Sequence, residues 1–131
     1  MENTLADFFR AYERKPWQPG QVDCCLFVAS WLIWLGHPDP AQDWRGSYDS
    51  DEGFRAIIGK AGGLVPLFEQ CAVKIRAKRV QCPSVGDVGV IGSQANIDRQ
   101  FGAIFDGERW RVRFINSISP MMATPLAIWS I

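Results

Sequence analysis

Apolar residues recur at helical spacing in the first half of the chain and at alternate positions in the second. Leu5, Phe8, Phe9 and Tyr12 follow Thr4, a capping residue, and Asp7, a first-turn acid, so residues 5–14 read as a first helix. Pro16-Trp17-Gln18-Pro19-Gly20 holds two prolines and a glycine and reads as a turn. Asp23 then reads as the N-cap of a second helix over residues 24–35, with Gly36 as its stop. Leu26, Phe27, Val28, Trp31, Leu32, Ile33, Trp34 and Leu35 lie on nearly every face of that helix, which predicts a central helix buried on most sides. Residues 37–50 carry prolines, aspartates and a glycine and read as a surface loop. A third helix is expected from Ser50 or Asp51 to Lys60, ended by Gly62-Gly63, and a short fourth over residues 64–70.

The period then changes. Ala72-Val73-Lys74-Ile75-Arg76 alternates and predicts a strand. Residues 85–91 and 101–105 predict two more; the Asp106-Gly107 turn introduces a fourth over 109–115, and residues 126–129 a fifth. Helices followed by about five short strands predict an α+β fold with N-terminal helices on an antiparallel sheet, in one domain spanning residues 1–131.

Hydrophobic residues at 47% and charged residues at 21% fit a packed core. The formal net charge is zero, so nothing global draws the chain to nucleic acid. Its longest apolar stretch, residues 24–36, is well short of the roughly 20 residues a membrane span needs, so no membrane insertion is expected. Met1-Glu2-Asn3-Thr4 resembles no targeting segment, which makes cytoplasmic synthesis the expectation. Lys74, Arg76, Lys78 and Arg79, and again Arg109, Arg111 and Arg113, fall at near-alternate positions and read as solvated sheet faces, the second set opposite Trp110, Val112 and Phe114. Six tryptophans are many for this length; Trp17, Trp44, Trp110 and Trp129 are candidates for contacts with a partner.

The cysteines are Cys24, Cys25, Cys71 and Cys82. Their spacing fits no zinc pattern, adjacent helical residues point about 100° apart, and neither a metal nor a cofactor is expected. Two disulfides are one option; free thiols are the expectation for a chain without a signal peptide. Cys24 stands out because a thiolate in the first turn of a helix is stabilised by unpaired N–H groups and the helix dipole, and the same N–H groups can hold an oxyanion. The competing reading is a buried structural cysteine.

Gly20-Gln21-Val22-Asp23-Cys24-Cys25 resembles the Gly-x-x-Asp-Cys-Ser block that opens the central helix of NlpC-type papain-like cysteine peptidases. Gly86-Asp87-Val88-Gly89-Val90-Ile91 is similar to that family's Gly-Asp-Leu-Val strand. Phe101-Gly102-Ala103-Ile104 is similar to its His-Val-Gly-Ile strand, with the catalytic histidine's place falling on Gln100. Gly36-His37-Pro38-Asp39-Pro40, Arg45-Gly46-Ser47-Tyr48 and the terminal Ala127-Ile128-Trp129 resemble segments of a branch found in phage and prophage tail modules. The resemblance covers roughly residues 16–131. It implies a papain-like core, Cys24 in the nucleophile position, Asp23 as helix cap on the oxyanion side, and tail proteins as partners.

A peptidase of this kind needs an imidazole beside its thiol, as base for attack and acid for the leaving amine. The one histidine, His37, falls at the far end of the second helix, about 18–20 Å away at about 1.5 Å per residue. The expectation is therefore a catalytically silent structural component of a phage tail tip, made in the host cytoplasm and carried in the virion tail. The alternative is a peptidoglycan-directed cysteine endopeptidase or amidase using Cys24.

Overall fold

The computed structural model describes residues 2–131. Four helices come first: α1 (Glu2–Glu13), α2 (Cys24–Trp34), α3 (Asp51–Ala61) and α4 (Leu64–Lys74). Six strands follow: β1 (Lys78–Val80), β2 (Val88–Ser93), β3 (Gln100–Phe105), β4 (Trp110–Arg113), β5 (Ile118–Met121) and β6 (Ala123–Ser130). They form one antiparallel sheet in the order β1-β6-β2-β3-β4-β5. The α+β class with an antiparallel sheet stands, with six strands where five were expected.

Helix α2 is central because its sequence gives it no polar face. Leu26, Phe27, Val28, Ala29, Trp31 and Leu32 are buried. It packs on β3, and the Trp31 indole donates to the carbonyl of Gly86 at 2.8 Å, tying helix to sheet. Phe8 and Tyr12 of α1 stack against Phe27 and Trp31 on its other side.

One sheet face meets the helices through Val88, Val90, Ile104, Ala127 and Trp129. The opposite face holds a second cluster, Ile91, Ala103, Trp110, Val112 and Ile128, all buried, with Cys24 at the start of α2 packed against it. Coiling of the sheet buries them. β5 lies at one edge and β6 four places away, yet only Met122 separates them. A two-residue step spans at most about 7 Å, so the sheet bends round until Met121, paired with Trp110, lies close to Ala123, paired with Ser93. A register shift where Val90 and Ile91 of β2 meet β6 bends the strand further. Gly89 completes the fit: a Cβ there would sit 2.9 Å from the Trp110 ring and 2.8 Å from the Ala127 carbonyl, so the benzo edge of the indole takes the space a side chain would fill.

Several expectations are corrected. The strand predicted over 72–76 is the end of α4, which runs to Lys74. Its apolar residues fit both periods, but Leu64, Leu67 and Ala72 share a helical face, and Val73, inward on a strand, is 68% exposed. Arg76, with φ of 58°, breaks the chain direction before β1. Thr4 lies inside α1 and is not its cap. The arginine face of β4 is not solvated. Arg113 is 2% exposed and donates to the carbonyls of Lys15 (2.8 Å), Ile115 (2.8 Å) and Phe114, while Arg111 pairs with Asp106 at 2.7 Å. Both sheet edges are blunted, β1 by exposed Lys78 and Arg79 and β5 by Pro120.

Candidate functional site

The start of α2 is built by Asp23, whose carboxylate is 4% exposed and accepts four hydrogen bonds. Oδ1 takes the N–H groups of Cys25 (3.1 Å) and Leu26 (2.9 Å); Oδ2 takes the N–H of Gly20 (3.1 Å) and the Tyr48 hydroxyl (2.5 Å). The first pair caps the helix. The second closes the preceding loop and pins it to a segment 25 residues downstream.

That segment is held reciprocally. Gly46 N–H donates to the Gly20 carbonyl at 2.7 Å. Gly20 has φ of 86°, and a Cβ on it would fall 1.9 Å from the Tyr48 carbonyl oxygen. Arg45 grips Asp39 through Nε (2.8 Å) and a terminal nitrogen (3.3 Å), and Asp39 also accepts from the Ala41 N–H. The three blocks singled out in the sequence, 20–25, 36–40 and 45–48, are thus one hydrogen-bonded frame around α2. Burial first, then the bond to Asp23, pushes the Tyr48 hydroxyl well above its ordinary pKa, so it stays a proton donor.

Cys24 and Cys25 occupy the first turn, both half-buried, with their sulfurs 3.9 Å apart. The 100° divergence of adjacent helical positions therefore does not keep them apart. The hydrogen bond with Cys24 foremost, then burial and the nearby Asp23 charge, raise the Cys25 thiol well above its usual range. Cys71 lines an apolar cavity of about 60 Å³ beneath α2, with Cys25, Leu32, Trp44 and Phe68 among its walls. Burial pushes its thiol to about 12. All four thiols are free in the structure.

Strand β3 runs past the first turn of α2 at Gly102. A Cβ there would lie 2.6 Å from the Phe68 ring and 3.2 Å from the Cys24 carbonyl oxygen, so only glycine lets strand and helix approach this closely. Further along α2, Trp31 meets Gly86, whose N–H donates to Phe105. Helix and strand therefore run in the same direction. Gln100, two residues before Gly102 and on the same face, lies about 7 Å beyond it, past the N-terminal end of α2. Gln100, where the sequence resemblance would put a histidine, is on the cysteine side of the sheet and carries an amide. His37 follows α2 at its other end, where its N–H donates to Leu32. Asp98 is exposed in the 94–99 loop.

The helix end differs from the expectation in one respect. Two of its first N–H groups, on Cys25 and Leu26, are taken by Asp23 and are not free to hold an oxyanion. Asp23 is the predicted cap, and its full set of bonds makes it a structural anchor.

The tryptophans divide. Trp110 and Trp129 are 7% and 1% exposed and so present little surface: the sheet covers the first, and the second donates to Glu69 at 2.7 Å beneath the Arg79 guanidinium. Trp17 is half-buried with the Arg113 guanidinium 5.8 Å from its ring centre, and Trp44 half-buried with Lys74 at 4.9 Å. Trp34, 46% exposed beside Ile33 at the end of α2, was not singled out. An all-round apolar helix gives no periodic signal for which turn reaches solvent. Among the described residues no single helix is long and apolar enough to cross a membrane.

The family described as Domain of unknown function (DUF6950) matches residues 1–128, and the chain belongs to it. No curated protein and no solved structure matches.

Proposed function

We propose that this DUF6950 chain is a non-hydrolytic structural subunit on the papain-like, NlpC-type plan, and that it serves in a phage tail tip with other tail proteins as its partners. What supports the first part is the close approach of Gly102 to the Cys24 carbonyl in the first turn of the central helix, with Gln100, and no histidine, two residues earlier on the same strand. A thiol there can be reactive, but an amide leaving group must be protonated as it departs, and Gln100 supplies no proton. Lack of positioned acid–base help costs on the order of 100- to 10,000-fold in rate. The tail setting rests on the sequence resemblance of the 20–25, 36–40 and 45–48 blocks. What supports treating them as a unit is their shared hydrogen-bonded frame.

Turnover of purified cell-wall fragments tests the catalytic half. The wild-type chain is expected to cleave no faster than Cys24→Ala. Cleavage that vanishes in Cys24→Ala would establish the peptidoglycan-directed endopeptidase reading instead. Size-exclusion chromatography with the neighbouring tail proteins tests the other half, with co-elution expected. A chain that stays monomeric beside every one of them refutes it.

A further inference from the structure

Cys24 and Cys25 place two sulfurs 3.9 Å apart on one rigid turn. Two sulfurs bonded to one pyramidal trivalent centre at about 2.3 Å and about 100° lie about 3.5 Å apart, against about 3.8 Å at a tetrahedral centre. The pair has to close by only about 0.4 Å to grip such an atom. The turn that carries it is fixed by the four bonds of Asp23 and by Gly102 against Cys24, so little ordering remains to be done on capture.

The number of ligands decides what that atom is. A divalent zinc-type ion takes four donors. Among the described residues no three His, Cys, Asp or Glu side chains converge as a metal set, and both oxygens of Asp23 are engaged. A monosubstituted trivalent arsenical makes only three bonds and brings one of them, to carbon. Two sulfurs complete it.

The geometry points to Cys24 and Cys25 as a chelating dithiol site for a soft trivalent centre, with an organic arsenous acid as the ligand class it takes. In the step, two As–O bonds break and two As–S bonds form. Each thiol proton leaves with a hydroxyl as water, so two waters are released; arsenic stays trivalent and nothing is oxidised. No thiolate has to persist, which suits the proton-retaining Cys25 thiol. Cys71 and Cys82 offer no such bite: the structure pairs neither with a second sulfur. The site does not depend on whether the chain hydrolyses anything.

The test uses phenylarsine oxide, which hydrates to the arsenous acid, on the folded full chain, read by intact mass. A 1:1 adduct is expected that survives excess monothiol and is removed by 1,2-ethanedithiol. Cys24→Ser and Cys25→Ser are each expected to lose the monothiol-resistant adduct, and Cys82→Ser to keep it. Since Cys25→Ser perturbs a packed position, a second measurement uses the wild type alone. Arsenical treatment before iodoacetamide should protect Cys24 and Cys25 together, as read by peptide mapping. No adduct, a monothiol-labile adduct, or protection mapped to one thiol or to Cys71 or Cys82 would overturn the assignment.

Discussion

Replacing Asp23 by alanine is the most informative perturbation of the frame. The carboxylate is buried and accepts from three backbone N–H groups and one phenol. Loss of a helix N-cap alone costs about 0.5–2 kcal/mol. The second oxygen adds two hydrogen bonds to a charged acceptor, each worth about 1.5–3 kcal/mol, against which the relieved desolvation of the carboxylate must be set. The expected loss for Asp23→Ala is about 3–4 kcal/mol, large for a single substitution. Asp23→Asn keeps the oxygen facing Cys25 and Leu26 but turns an NH₂ toward the Gly20 N–H, two donors face to face, so about 2 kcal/mol is expected. Tyr48→Phe removes one donor and should cost about 1.5 kcal/mol. Because Asp23 and Tyr48 share a bond, the double variant should fall short of additivity by about 1 kcal/mol. Urea unfolding followed by tryptophan fluorescence gives these differences, provided the denaturant slope is unchanged. A loss below about 1 kcal/mol for Asp23→Ala, or full additivity with Tyr48→Phe, would refute the claim that this carboxylate holds the loop and the helix together.

Gly20→Ala should prevent folding at ordinary temperature or cost more than about 3 kcal/mol, because it forces a Cβ into the Tyr48 carbonyl at positive φ; near-wild-type stability in urea would contradict the close approach. The chain's two tyrosines are both raised by burial, Tyr12 to about 12 with the Ser30 hydroxyl opposing, Tyr48 by its bond to Asp23 as well. Above about pH 10 the unfolded chain releases phenolic protons that the folded one keeps, so stability should fall with pH by about 1.4 kcal/mol per unit per tyrosine, and Tyr48→Phe should flatten the slope; tyrosinate absorbance that rises at pH 10 in the folded protein would count against it. Gly102→Ala drives a Cβ into the Phe68 ring and the Cys24 carbonyl, and a loss of about 1–3 kcal/mol is expected in the same urea assay, with no loss ruling out the tight strand–helix contact.

The start of α2 was legible because its signal is local: a capping aspartate, then an unbroken apolar run. The strand carrying Gln100, and the Asp106-Gly107 turn before β4, were legible for the same reason. What was not legible depends on distant partners. Tyr48 reads as a loop aromatic until the fold brings it 2.5 Å from Asp23. β5, Ile118-Ser119-Pro120-Met121, carries a proline and serines nearby and resembles a turn; it is a strand because the coiled sheet offers it β4 as an edge. The burial of Trp110 likewise follows from coiling and from Gly89, neither visible in an alternating pattern that leaves open which face is wet. The 72–76 segment misleads because its five residues of alternation do not separate a strand from the last turn of an amphipathic helix.

The same carboxylate that makes the helix start so definite also limits its chemistry. An oxyanion site needs donors without partners, and Asp23 has claimed the N–H groups of Cys25 and Leu26. Position 100 therefore carries no base, and of the first-turn donors Asp23 leaves only the Cys24 N–H unclaimed. Gln100→His supplies an imidazole on the cysteine side of β3, yet the Cys25 and Leu26 N–H groups remain engaged, and the buried Arg113 gives both its terminal nitrogens to the carbonyls of Lys15, Phe114 and Ile115. Introducing a histidine there alone should leave hydrolysis weak. The dithiol reaction needs neither base nor oxyanion donors, only two neighbouring sulfurs on a fixed turn, and the Asp23 frame provides that rigidity. The geometry that works against amide hydrolysis is the geometry that favours chelation, so the two assays should give opposite answers on the same wild-type protein.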